Sequence, residues 1–386
     1  MRKLPSQHRL GLALALWIGL SALPVVLGSQ LREPADLAGV AVYTAMSMVI
    51  IACALAVHEL AHAGVAAALR VEVAVISVGV GPRLAQWRLG ETALRLHAIP
   101  IAGHAILATP HRAWLRLRLW FAIAAGPAGN LAVAAVAGAL RSGVPDETIG
   151  AAALELVGWF NTAIGLGNLV PFGRLDGAWL VRLLLGAPVD PVRAVWHALA
   201  AERALEQNDI VGAEREAAEA ARLAPKEPWL WEGIPGMIAL ERGDCDGAIA
   251  AWQALLVPEA PPVIVALRRN NLAWALLQRG GPGDLERADE LSAQALASVP
   301  REPWAAGTRG AVLIARGQLA EGVALVTRAA SDNDRPRMRG HNHTWLAIGH
   351  AALGDRATAA AHLARARQLY PTGAFVPRAE AAVAAA

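Results

Sequence analysis

Residues 37–69 read LAGVAVYTAMSMVIIACALAVHELAHAGVAAAL, a run whose one formally charged residue is Glu59. About twenty apolar residues are enough for a helix to cross a bilayer. Lipid offers no partner to a free backbone N–H or C=O, so a run of this kind in a membrane has to be helical. Three more runs repeat the pattern: 10–29, which follows Arg2, Lys3 and Arg9; 119–140; and 149–170, which resumes past a break to about 186. The first looks like a signal peptide, but no small-residue cleavage site follows it, so it reads as an uncleaved span. With 55% hydrophobic and 17% charged residues and a mean hydropathy of +0.38, the 386 residues are too apolar for an ordinary soluble enzyme. They are enough for two domains. Four spans are expected.

Charge gives the orientation. The connection 70–118 carries seven arginines against Glu72 and Glu91, whereas the first and third connections hold one arginine each beside acids. Basic loops stay in the cytoplasm, which places both termini there. The net charge of +3 comes almost wholly from dispersed arginines and suggests no nucleic-acid surface. Cys53 and Cys245 imply neither a disulfide framework nor a thiolate-bound metal.

Three residues in the second span are out of place in lipid. His58, Glu59 and His62 are expensive at membrane depth, and ionisable groups retained there mark function. Side chains four apart share a helix face, so both imidazoles can hold one metal ion while Glu59, about 100° round, reaches a water on it. Zinc takes a third protein ligand and leaves one position open. The fourth run ends in NLVPFGRLDG, residues 168–177, where Pro171, Gly173 and Gly177 break the helix and deliver Asp176 to a similar depth. Asp176 is the natural third ligand; taken alone it could equally cap the next helix, but beside the histidine pair the ligand role is favoured. Asn130 and Asn168 are polar residues in apolar surroundings. Packing is the favoured reading of Asn130, and substrate contact that of Asn168. His97, His104 and His111 sit in the arginine-rich connection and are left without a metal role.

The motifs, in order, are HELAH at 58–62, SVGVGP at 77–82, IPIAGH at 99–104, AGPAGN at 125–130 and NLVPFGRLDG at 168–177. Together they resemble the site-2 protease family of membrane-embedded zinc metalloproteases, over residues 37 to about 186. The resemblance implies one Zn2+ per chain held by His58, His62 and Asp176, with Glu59 as catalytic base. It also implies a transmembrane protein as substrate. Gly173 stands where many relatives have a second proline, and His104 where an aromatic residue is usual. No segment reads as the inserted PDZ domain of some relatives. Within 70–118, VEVAVISVGVGP and TALRLHAIPIAG alternate as paired strands around RLGE. An edge strand there can hold an extended peptide by backbone pairing, which makes Gly79, Gly81 and Gly103, with Asn168, the candidate substrate-binding residues.

Beyond residue 186 the chain turns to alanine-rich helices broken at Asn208-Asp209, Gly243-Asp244, Gly281, Gly317 and Gly354-Asp355. Ala213, Ala220 and Pro225 recur as Ala288, Ala295, Pro300 and as Ala359, Ala366, Pro371. The breaks recur every 35 to 38 residues, a period that resembles the tetratricopeptide repeat, whose units stack into an α-solenoid with a concave face. Trp229, Trp231, Trp252, Trp274, Trp304 and Trp345 fall in these helices and are read as core.

The expected protein is mainly α. A polytopic transmembrane protease core with a short membrane-associated β region is followed by a tetratricopeptide-like solenoid. The expected domains are 1–36, an N-terminal span with its external connection; 37–190, the zinc protease core; and 191–386, cytosolic repeats that recruit substrate or a cytosolic protein partner. Membrane lipid surrounds the spans, and the expected site is a bacterial inner membrane. The rival reading is a catalytically silent membrane scaffold.

Overall fold

The computed structural model describes residues 37–257, 260–332 and 335–386. The expected span at 10–29 lies outside the described residues. The rest gather into two compact units that divide between Arg193 and Ala194.

Three helices in the first unit, Ala41–Ala68, Leu115–Arg141 and Ile149–Asn168, are long and apolar enough to cross a membrane. They lie in α1 (Leu37–Ala68), α2 (Leu115–Arg141) and α3 (Ile149–Asn168). Val49, Leu60, Phe121, Val136 and Leu166 are exposed on them, as befits helices facing lipid. The fourth apolar run does not continue as one helix: α3 stops at Asn168 and a short α4 (Asp176–Leu184) begins after the Pro171 turn. Proline has no amide hydrogen for the ladder, and it biases the residue before it away from helix.

Between α1 and α2 lies the expected pair, β1 (Glu72–Leu89) and β2 (Thr92–Ala108), antiparallel around Gly90-Glu91. Both strands run longer than their alternating sequence pattern. Gly79 and Gly81 take positive φ of 91° and 85°, and the register shifts repeatedly there, so that Val78 pairs with both Gly103 and Leu96. Ala66, Val71, Val73 and Ile76 pack with Leu115, Leu119, Ala122 and Leu183 beneath the sheet. Deeper along α1, Ile51 and Leu55 meet Leu156 and Phe160 of α3.

The second unit is a succession of helix pairs: α5 (Asp190–Glu206) with α6 (Ile210–Leu223), α7 (Ile234–Glu241) with α8 (Cys245–Ala254), α9 (Pro262–Arg279) with α10 (Asp284–Ser298), α11 (Pro303–Ala315) with α12 (Leu319–Asp332), and α13 (Pro336–Ala352) with α14 (Arg356–Leu369). α15 (Val376–Ala385) closes the series. The turn inside each pair is written in the sequence. Asn208, Gly243, Gly280, Gly317 and Gly354 adopt positive φ, ending one helix in the left-handed conformation. Asp209, Asp244 and Asp355 then accept from the backbone N–H of Gly212, Gly247 and Thr358 and cap the next. Ala213, Ala220, Ala248, Ala288, Ala295, Ala329, Ala359 and Ala366 are fully buried, small enough to let paired helices close on each other. The unit is thus a tetratricopeptide-like array. Trp252 and Trp345 are core residues, while Trp229 is exposed.

Candidate metal centre

α1 carries His58 and His62 on one face, one turn apart, and both are buried together with Glu59. Their rings meet edge to face with centroids 4.6 Å apart. The third group arrives from the turn after α3. Gly177 is needed there because a Cβ would fall 2.0 Å from the carbonyl oxygen of Leu169. The fold gives the N-cap of α4 to Leu175, which makes no side-chain cap bond. The Asp176 carboxylate turns to the histidines instead, with Oδ2 2.9 Å from His58 Nε2 and 3.4 Å from His62 Nε2. Among the described residues His58, His62 and Asp176 form the one group of three metal-ligating side chains whose ligand atoms all lie within 4.8 Å of each other.

Both imidazoles are held from behind by α2. His62 Nδ1 lies 2.8 Å from the carbonyl oxygen of Ala122, and His58 Nδ1 lies 2.6 Å from Asn130 Oδ1. A carbonyl only accepts, so His62 carries a hydrogen on Nδ1 and turns Nε2 toward Asp176. α2 comes this near because residue 126 is glycine: a Cβ there would lie 2.3 Å from the His62 ring and 2.9 Å from that of His58.

The donor set fits zinc. Bonds of about 2.0–2.1 Å in tetrahedral geometry put ligand atoms roughly 3.3 Å apart, and two imidazole nitrogens with one carboxylate are a ligand set of catalytic zinc. With acceptor atoms facing one another at such range, a cation or a proton has to lie between them. Glu59, next in sequence, has a buried Oε2 with no hydrogen-bond partner in the protein. Such an acceptor is costly unless a ligand or water serves it.

The four candidate substrate-binding residues are placed differently. Gly103 on β2 lies directly against Glu59, where a Cβ would come within 2.4 Å of Oε1. Gly79 and Gly81 lie at the bend of β1, and the carbonyl of Gly81 accepts from His97 Nδ1 at 2.9 Å. Asn168 donates to the carbonyl of Ile164 in its own helix. Asn130, read from sequence as packing, is the asparagine that touches a histidine of the centre. Its one sequence signal was an amide one turn after Gly126-Pro127 in an otherwise apolar span.

Residues 46–145 match the profile of peptidase family M50, a stretch that includes HELAH and AGPAGN and stops before Asp176. No curated protein matches the chain. Among solved structures, it is similar to a thermophilic TPR protein of Thermus thermophilus (18% identity, TM-score 0.38, 49% of this chain and 97% of that one). It is also similar to the Cut9-Hcn1 hetero-tetramer of APC/C (16%, 0.39, 71% and 51%) and to pilF of Pseudomonas aeruginosa (16%, 0.34, 66% and 99%). The helical membrane unit therefore resembles peptidase family M50, the site-2 proteases, and it precedes a tetratricopeptide-like repeat array.

Proposed function

We propose that the chain is a zinc metalloendopeptidase that cleaves peptide bonds within transmembrane segments of other membrane proteins. One observation carries this reading: two histidine nitrogens and the Asp176 carboxylate converge beside the buried Glu59 carboxylate, on a helix of membrane-spanning length. In this reading His58, His62 and Asp176 hold one zinc, which supplies Lewis acidity toward a carbonyl oxygen and acidifies a water. Glu59 takes the proton from the attacking water and passes it to the departing amide nitrogen, so one water is consumed and a carboxylate and an amine leave. The β2 backbone at Gly103 aligns the unwound substrate strand alongside Glu59, with Gly79 and Gly81 shaping the bend of the partner strand. Asn168 contributes from the end of α3.

The protease core takes in residues 37–190, after an N-terminal span within 1–36. The repeats, 191–386, lie in the cytoplasm and recruit substrate or a partner, with both termini on that side of a bacterial inner membrane. The arginine-rich connection 70–118 supports the orientation.

The test pairs two measurements on purified protein in detergent or vesicles. Elemental analysis is expected to find one zinc per chain. Glu59→Gln is expected to keep that zinc while slowing cleavage of a reconstituted transmembrane peptide by about 10²–10⁴-fold, the usual worth of a positioned base. Full turnover by the variant removes Glu59 from the chemistry. Absence of zinc and of cleavage in the wild type leaves a silent scaffold.

A further inference from the structure

Asn130 is fully buried in α2, and an amide in that position is costly unless each of its groups is paired. All of them are. Oδ1 faces His58 Nδ1 at 2.6 Å, and Nδ2 donates to the carbonyl of Ala54 at 2.9 Å and to Asn161 Oδ1 at 2.8 Å. Asn161, also buried, in turn donates through Nδ2 to the carbonyl of Val157 at 2.9 Å.

This chain has one consistent orientation. Backbone carbonyls accept and never donate. The Val157 carbonyl therefore requires the nitrogen of Asn161 on its side, which turns Asn161 Oδ1 toward Asn130. That oxygen and the Ala54 carbonyl both call for the nitrogen of Asn130. Flipping Asn130 would set oxygen against oxygen twice. Its Oδ1 is thereby committed to His58, so Nδ1 of His58 holds a hydrogen, and Nε2, which faces Asp176 and the metal position, is the nitrogen left to bind a metal.

We propose that Asn130, locked by Asn161, is a positioning residue that fixes the tautomer and ring angle of His58 for metal binding. This rests on the reading that His58, His62 and Asp176 bind a metal. The two histidines are thus oriented by different means: His62 by a main-chain carbonyl that no substitution removes, His58 by a side chain that can be replaced. Partners of this kind typically change metal affinity by about 10–100-fold when removed. The competing role is plain helix-to-helix adhesion by polar side chains, which predicts a loss of stability and no change in the metal site.

The experiment uses full-length protein in detergent, with Co2+ as the spectroscopic metal. Asn130→Leu, close to asparagine in size, is expected to weaken Co2+ binding about 10–100-fold and to alter the visible ligand-field bands. Asn161→Leu leaves Asn130 beside His58 with its amide held by the Ala54 carbonyl alone, and is expected to weaken binding by a smaller factor. Thermal melting of the metal-free proteins separates adhesion from positioning, because adhesion alone lowers the melting temperature and leaves the Co2+ constant and spectrum as in wild type. That result in either variant that folds overturns the proposal, and if Asn130→Leu does not fold, Asn161→Leu decides alone. A wild-type protein that takes up no Co2+ fails the metal reading itself and the proposal with it. Uptake by wild type with equal uptake by the variants fails the proposal alone.

Discussion

A single missing carbon sets the reach of Glu59. Because a Cβ at residue 103 would press within 2.4 Å of Oε1, Gly103→Ala is expected to push the carboxylate off its line. Cleavage should fall at least tenfold while zinc content stays at the wild-type level, since the three atoms nearest the added carbon all belong to Glu59. Kinetics and metal analysis on one preparation check both halves; equal activity would mean that Glu59 swings aside freely. At this scale the sequence is legible where chemistry repeats at helical spacing, as in His58 and His62, which needed no tertiary information. Asp176 was legible as one of two roles, cap or ligand, because its distance to α1 is set by a turn around Gly177 that the local sequence does not measure. Asn130 was read as packing, since whether a buried amide packs or pairs depends on a histidine 72 positions earlier.

Among elements, the contact of α1 with α2 governs the centre. Gly126→Ala places a methyl 2.3 Å from the His62 ring, and overpacking of this kind costs about 1–3 kcal/mol. The variant is expected to melt at a lower temperature and to hold less than one zinc per chain, as read by calorimetry and elemental analysis; wild-type values in both would show that α2 can retreat without penalty. Helices of this unit were visible as apolar runs because lipid and backbone pairing together leave the chain little choice. The β region was harder. Its alternation located both strands, but the strand ends and the bend at Gly79 follow from pairings between distant residues, and alternation carries no record of register.

For the molecule as a whole, the repeat unit carries its own acid sensitivity. Burial holds His341 near pKa 3, with Arg337 adding to the effect, against an ordinary value of 6.5. Burial likewise brings His343 to about 4, helped by His362, Arg339 and Arg365. Between these values and 6.5 the unfolded chain binds protons that the folded one refuses, so stability rises with pH across that window. It is fully present above about 6.5 and is lost progressively as pH falls toward 4 and then 3. Denaturant unfolding of the full chain, followed by tryptophan fluorescence, is expected to show the repeat transition moving to lower denaturant from pH 7 to pH 4. His341→Leu should flatten the slope, and an unchanged slope would mean that His341 is not the source. Both units are also tied across long stretches of chain. The membrane unit is cinched by bonds from His58 to Asn130 and Asp176, 72 and 118 positions away. In the array Arg335 reaches Glu202 and the amide of Arg337 reaches Glu206 of α5, 133 and 131 positions away, while Tyr370 donates to Glu241 at the end of α7, 129 positions away. Under mechanical tension the first helix of such an array cannot peel off alone, because its ties to α13 have to part with it.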